Sequence, residues 1–369
     1  MMRIGIIGSR GVPNNYGGFG QLAQYLAEDL VKRGHEVIVY NSHNHDFQES
    51  MWKGVQIVHC YDPEYKYGSF GQFIYDLNCI KDTRKRKLDV ILQLGYTSSS
   101  IWFFLLPKKV MVATNMDGLE WKRSKYNWAV QQFLKVAEWL AAKTSDYLIA
   151  DSIIIAQHLK KRFGKKSALI AYGAIPFTDP NVEVLKPFGL EPFGFDLIIA
   201  RMEPENNIES ILKAYQSPKN KRILVVIGNI DGTKHGKKWK HKYTSGNIRF
   251  LGTIFDIEIL NNLRFYSAFY FHGHSVGGTN PSLLEAMAAK AFIIAHDNAF
   301  NRAVLEEDAH YFTDESSIEK LLEGSSSLME KREVFTTRNL KKVSEQYTWP
   351  MIVDKYENIL QKIVGSSKK

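Results

Sequence analysis

The sequence predicts an α/β protein built from two doubly wound parallel sheets, and three observations carry that prediction. Short apolar runs alternate with amphipathic helical stretches from the first residues to about position 312. The opening run begins a strand–loop–helix–strand unit, Arg3 to Tyr40, of the kind that makes a parallel sheet. The alternation is interrupted once, by a stretch with four prolines between Gly173 and Gly194, and then resumes. Residues 1–173 therefore read as a first Rossmann-like domain, 174–194 as a linker, 195–345 as a second such domain, and 346–369 as a helix with a polar tail.

A length of 369 residues suits two domains, and 44% hydrophobic with 24% charged residues is an ordinary globular composition. The two cysteines, Cys60 and Cys79, make neither a disulfide framework nor a metal set, which fits a reducing cytoplasm. The start, MMRIGIIGSR, reads as a strand rather than a signal peptide. No apolar run reaches the roughly 18 residues a membrane span needs. Charge is uneven. Residues 1–176 carry 23 basic against 15 acidic side chains, and the remainder 25 against 24. The basic first half is expected to be drawn to an anionic membrane surface. Nucleic acid is not expected, because no nucleic-acid motif accompanies the charge.

Arg3–Gly8 is a buried strand, and a long glycine-rich loop runs from Gly8 to Phe19, with Tyr16 and Phe19 at its tip placed to meet a ligand. The loop is not a dinucleotide fingerprint: glycines 5, 8 and 11 miss G-x-G-x-x-G, and the second strand ends Tyr40–Asn41 without a ribose-binding acid. A helix is expected over Gln21–Arg33, a strand at Val55–Cys60, a helix at Phe70–Lys81, a strand at Val90–Leu94 and a helix at Ser98–Leu106. The next strand, Lys109–Thr114, leads to Asp117–Gly118, which suits either a pocket carboxylate or a turn-forming Asp. A long helix, Trp128–Ser145, and a strand at Tyr147–Ala150 follow.

In the second half, Phe195–Ala200 is a strand followed directly by Arg201, a residue suited to a bidentate phosphate contact or to an ion pair with Glu203 or Glu205. Thr233–Thr244 reads as an exposed hydrophilic loop. The most informative stretch is His272–Lys290. A strand ends, Gly277 and Gly278 give a turn, Asn280 is an N-cap, Pro281 fits the first helical position, and Ser282–Lys290 is a mostly buried helix. Amides of Gly277, Gly278, Thr279 and Asn280 at such a turn form an anion site, most often for phosphate. Glu285 lies one turn inside, able to accept hydrogen bonds from sugar hydroxyls. An ordinary strand–turn–helix with a solvated Glu is the plain alternative.

The second domain resembles glycosyltransferase family 4 of the GT-B fold, through IRFLGTIFDIEILNNLRFYSAFYFHGHSVGGTNPSLLEAMA, ARMEPENN and YTWPMIVDKYENIL. GSRGVPNNYGGF, NSHNHDFQE, LQLGYTSSS and NMDGLEWKR are similar to the bacterial branch that includes rhamnosyltransferases of capsule and polysaccharide assembly. The resemblance implies a C-terminal helix that crosses back to the first domain and a cleft between the two domains. It also implies a retaining, metal-independent transfer of a sugar, best guessed as rhamnose from dTDP-rhamnose. The donor is a nucleoside diphosphate sugar, and the acceptor a lipid-linked or oligosaccharide hydroxyl on the first-domain side, at the inner membrane face. No cofactor and no metal are expected.

Residue by residue, the resemblance assigns Glu285 to the donor ribose, Gly277–Asn280 and Arg201 to the diphosphate, and Gly17 and Gly18 to the donor phosphates. It sets Asp117 beside the reacting sugar as the catalytic candidate, and Tyr16 and Phe19 on the acceptor side. Three positions depart from the family pattern: Gly277 stands for the first Glu of E-x7-E, Glu205-Asn206-Asn207 for a Lys after Arg201, and Met116 for the His of a His-Asp pair. Arg10 and Arg302 are the candidates to supply the missing positive charge. The rival readings are a GT-B-shaped glycan- or partner-binding protein without catalysis, and a nucleotide-sugar epimerase.

Overall fold

Every residue is described in the computed structural model except Asn15, Tyr16, Pro218, Lys219, Ser245, Lys368 and Lys369. The chain divides into unit 1 (Met1–Lys122, Tyr126–Gly173 and Trp349–Lys369) and unit 2 (Arg123–Lys125 and Ala174–Thr348).

Unit 1 contains, in chain order, β1 (Arg3–Ile7), α1 (Gly18–Lys32), β2 (Glu36–Ser42), β3 (Met51–Trp52), β4 (Val55–Cys60), α2 (Glu64–Tyr67), α3 (Gly71–Thr83), β5 (Val90–Leu94), β6 (Met111–Asn115), α4 (Trp128–Thr144), β7 (Tyr147–Ala150), α5 (Ile153–Phe163) and β8 (Ala168–Leu169). The strand order is β3-β4-β2-β1-β5-β6-β7-β8, parallel except for the β3–β4 hairpin. β1 and β5, buried along nearly their whole length and apolar but for Arg3 and Gln93, sit at the centre. α1 lays Leu22, Leu26 and Leu30 on the sheet, as their three-to-four spacing predicts. It begins at Gly18, three residues before the expected start, so Gly18 and Phe19 form its first turn. The helix expected over Ser98–Leu106 is a 3-10 segment, Ser100–Leu105.

Unit 2 holds β9 (Phe195–Ile199), α6 (Ile208–Gln216), β10 (Ile223–Ile227), α7 (Lys234–Lys242), β11 (Ile248–Gly252), α8 (Ile257–Tyr266), β12 (Tyr270–His272), α9 (Pro281–Ala288), β13 (Ile293–His296), α10 (Ala299–Leu305), β14 (His310–Phe312), α11 (Glu315–Glu323), α12 (Ser325–Met329) and α13 (Arg332–Gln346). Its sheet, β11-β10-β9-β12-β13-β14, is parallel throughout. Residues 174–194, expected as a linker, pack within unit 2. Leu185 and Leu190 are buried, and the Asn181 N–H donates to Asn262 Oδ1 at 2.7 Å. The loop expected at Thr233–Thr244 is α7. Thr233 caps it, and Trp239 and Tyr243, one turn apart, are both buried.

The last helix, α14 (Trp349–Ser367), belongs to unit 1. Trp349 stacks on Tyr25 at 4.2 Å, Tyr356 accepts from Asn115 Nδ2 at 2.9 Å, and Arg33 holds Asp354 and Glu357 at 2.6 and 2.7 Å. Among the described residues no helix is long and apolar enough to cross a membrane.

Candidate functional site: two topological switch points

In a doubly wound sheet, ligands bind at the carboxyl ends of the strands where the strand order reverses direction. Unit 1 reverses between β1 and β5, and unit 2 between β9 and β12.

At the β1/β5 point, Gly17 precedes α1 with φ 90°, and a Cβ there would meet nothing within 4 Å. Among the described residues no side chain caps this helix. Phe19 lies over Gly95, the residue after β5, whose added Cβ would come within 3.1 Å of its ring. Its ring also stands 6.4 Å from Tyr172. Asp117 follows β6 with φ 49°, and its N–H donates to Asn115 Oδ1 at 3.0 Å. The turn-forming geometry expected of Asp117 is therefore present, fixed through Asn115 by Tyr356. Phe19 and the glycine pair gather at the β1/β5 mouth, and Asp117 lies one strand away on β6. Tyr16 lies outside the described residues.

At the β9/β12 point, Asn280 caps α9, accepting from the Ser282 N–H at 2.9 Å, and Pro281 takes the first helical position. Leu283 and Leu284 donate back to the Asn280 carbonyl, so the first helical turn uses its own amides. The donors left to a ligand are those of the preceding turn. Gly277 has φ 146° with open space where a Cβ would stand, and the N–H groups of Gly277 and Gly278 make no hydrogen bond among the described residues. Thr279 is buried beside them.

Arg201 follows β9, is exposed, and forms no ion pair among the described residues. Glu205 pairs instead with Arg123, at 3.4 Å, with side-chain exposures of 2% and 13%. Ser275 donates both its N–H, at 3.0 Å, and its hydroxyl, at 2.8 Å, to the Glu205 carbonyl, which ties this segment to the glycine turn. Arg10 and Arg302, the expected replacements for a missing cation, are committed elsewhere, to Glu64 and Asp297, both at 2.6 Å.

Glu285 is not a lone carboxylate. Its Oε2 accepts from Nη2 of Arg264 at 2.6 Å, and Arg264 is 1% exposed. Arg264 also bonds Asn261 at 2.9 Å. The sequence held one signal for it: a cation beside Leu263 and one turn after Leu260, on the apolar face of α8. His272 and His274 were also missed. Their rings stack at 4.4 Å, and neither nitrogen of His272 is hydrogen-bonded among the described residues. Burial, with the Arg264 charge, lowers His272 to about 3. Burial, then His272, Arg201 and Arg123, push His274 well below its usual value. Both imidazoles are neutral at pH 7, and two guanidiniums stand near enough to His274 to act on it.

Residues 194–346 match the family model described as Glycosyl transferases group 1, and residues 1–175 match a domain of unknown function, DUF1972. Most of unit 2 is thus similar to group 1 glycosyl transferase domains. An uncharacterized glycosyltransferase of Methanocaldococcus jannaschii, MJ1069, is 24% identical over 244 residues, 61% of each chain, so the match spans under two thirds of that relative. Sucrose-phosphate synthase from Thermosynechococcus elongatus superposes with a TM-score of 0.81 at 13% identity, covering 99% of this chain and 100% of that one. Anabaena HepE, solved in complex with UDP and glucose, gives 0.74 at 15%, covering 98% and 100%. Starch synthase IV from Arabidopsis thaliana, bound to ADP and acarbose, gives 0.72 at 12%, covering 99% of each. The fold is GT-B.

Proposed function

We propose that the chain is a retaining glycosyltransferase that moves a sugar from a nucleoside diphosphate donor to an acceptor hydroxyl. The observation that carries this reading is the β9/β12 point of unit 2. Two guanidiniums, Arg201 and Arg123, and the uncommitted amides of Gly277 and Gly278 all lie at one switch point, with neutral histidines beneath. That is the chemistry a diphosphate needs. Arg201 and the turn amides bind the diphosphate, and Arg123 balances the buried Glu205 carboxylate that would otherwise repel it. Glu285, oriented by Arg264, holds the ribose. In unit 1, Gly17 and Gly18, at the uncapped start of α1, are the candidates for the donor phosphates. In the transfer, the bond from the sugar's anomeric carbon to the phosphate oxygen breaks on the face where the acceptor oxygen attaches. The acceptor's proton passes to the leaving phosphate. Catalysis is positioning plus stabilisation of the leaving diphosphate, with Asp117 beside the sugar and no metal or other cofactor.

The donor we favour is dTDP-rhamnose. The acceptor is a lipid-linked saccharide, met on the side of Phe19 and Tyr16 at the inner membrane face, in cell-surface polysaccharide synthesis. The test is transfer from a panel of nucleotide sugars, dTDP-rhamnose included, to lipid-diphosphate-linked sugars, for wild type and Glu285→Ala. Turnover of one donor, lost in the variant, supports the reading. Binding of a nucleoside diphosphate without turnover of any donor favours a non-catalytic GT-B protein. Interconversion of free nucleotide sugars favours an epimerase.

A further inference from the structure

α4 buries Leu134, Ala137, Ala141 and Ala142. Its opposite side is not the charged surface a solvated helix presents. There Trp128 is 74% exposed, Val136 53% and Trp139 47%. Positions 128, 135, 136, 139 and 143 fall on one stripe at helical spacing, so Lys135 and Lys143 alternate with these apolar groups. A groove of about 600 Å³ runs between this stripe and the end of α5, where Arg162 and Phe163 line it, and no carboxylate does. Arg162 is held from beneath by Glu138 at 2.8 Å.

A second segment of unit 1 has the same character. None of the seven apolar residues from Ile101 to Pro107 is buried, and exposed Lys108 and Lys109 follow them. Trp102 pins the segment by donating to the Phe73 carbonyl at 2.9 Å, which leaves Phe103 and Phe104 outward at 39% and 61% exposure. Their rings meet edge to face at 5.7 Å. This segment packs against α4.

Lysine is depleted from protein–protein interfaces, whereas tryptophan at the apolar edge with lysine beside it is the pattern of a lipid–water interface. The basic surplus of residues 1–176, 8 charges by count, matches an anionic surface. We propose that unit 1 docks on an anionic lipid bilayer through the outer face of α4 and the 101–109 segment. The aromatic rings enter the headgroup layer, and Lys135, Lys143, Lys108 and Lys109 meet lipid phosphates. This deepens the membrane-bound acceptor reading above and rests on it for its purpose, though not for its physics.

The test is co-sedimentation of the full chain with phosphatidylcholine vesicles, with and without phosphatidylglycerol, at low and high salt. Wild type should bind only the phosphatidylglycerol vesicles, less so at high salt. Lys135→Gln with Lys143→Gln should weaken binding about tenfold or more, and Phe104→Ser with Trp139→Ser should abolish it. Circular dichroism and thermal unfolding of each variant, measured in parallel, report an intact fold. Equal binding to both vesicle types, no binding, or unchanged binding by well-folded variants overturns the proposal. So does a wild-type dimer in sedimentation that these substitutions dissociate, which would give the face to a second copy. If vesicles bind as expected but no nucleoside diphosphate does, the glycosyltransferase reading fails while the docking face stands.

Discussion

At the β1/β5 mouth of unit 1 stand Phe19 and the Gly17–Gly18 pair, beside the buried Tyr172, with Asp117 one strand away. At the β9/β12 mouth of unit 2 stand Arg201, Arg123 and the amides of a glycine turn, over the Arg264–Glu285 pair, of which Arg264 is buried. The reversal of strand order at the mouth is the same in both, and what differs is how charge is handled. Unit 1 offers the partly exposed ring of Phe19 and the Asp117 carboxylate. Unit 2 gathers guanidiniums at its mouth, where burial keeps His272 and His274 neutral, so that positive charge there comes from arginines. A doubly wound sheet supplies the place, and the side chains decide which part of a substrate each mouth takes.

The largest expected difference is in stability. Arg264→Met leaves the Glu285 carboxylate, 20% exposed, without its buried partner, and should cost about 3–5 kcal/mol. Phe19→Leu, at the matching place in unit 1, should cost under about 1.5 kcal/mol. Urea unfolding of both variants measures this. Equal costs would mean that the ion pair does not brace the second mouth.

Ligand binding sharpens the contrast. Arg201→Ala should raise the Kd for UDP by about 30- to 100-fold, the worth of charge-assisted hydrogen bonds of roughly 2–3 kcal/mol. Arg123→Ala should raise it by about tenfold, and Arg123→Lys should restore part of the loss. Phe19→Ala should leave it unchanged. Calorimetry with UDP and with uridine separates diphosphate from base: uridine binding should not respond to either arginine. An Arg123→Ala variant that binds UDP as wild type does would remove this residue from the donor site.

The two units should also respond to pH in opposite directions. Burial raises Asp76 of unit 1 to about 7 from 3.8, partly offset by the hydrogen bond from Ser98. Between those values the folded chain keeps a proton that the unfolded chain has lost, so stability falls as pH rises from 4 to 7. His272 of unit 2 is lowered to about 3 from 6.5. Between those values the unfolded chain holds the extra proton, so stability rises as pH goes from 3 to 6.5. Each contributes a slope of about 1.4 kcal/mol per pH unit within its window. Asp76→Asn should therefore make stability climb more steeply with pH, and His272→Gln should flatten the climb. Two variants with parallel profiles would contradict the opposed signs.

What the sequence disclosed was local. Asn280–Pro281 could be read because a cap and a first-turn proline act within four residues, and β1, β5 and α1 because periodicity is a property of one segment. What stayed hidden depends on distant partners. Arg264 reaches 21 residues along the chain to Glu285, and Arg123 reaches 82 to Glu205. α7 reads as a hydrophilic loop because eight of its nine residues are Lys, His or Gly, yet Trp239, with Tyr243 just beyond its end, holds it to the core. Residues 174–194 look like a linker by their prolines, but Leu185 and Leu190 find a surface that only the folded unit provides.

The smallest expected effect concerns how the two mouths start their helices. α9 is capped by a side chain, whereas α1 begins after Gly17 at φ 90° with none. Asn280→Ala should cost about 1 kcal/mol, and Asn280→Gly only a few tenths, because glycine leaves the Ser282 N–H open to water. At Gly17 the order inverts. Gly17→Ala should cost about 1–2 kcal/mol through backbone strain, although its Cβ would touch nothing, and an N-capping Asn there should be tolerated better than Ala. Thermal unfolding of the four variants tests the pair of rankings. Gly17→Ala without loss would mean that the uncapped start of α1 relaxes freely. Its open amides would then be a property of the sequence around it rather than of the glycine.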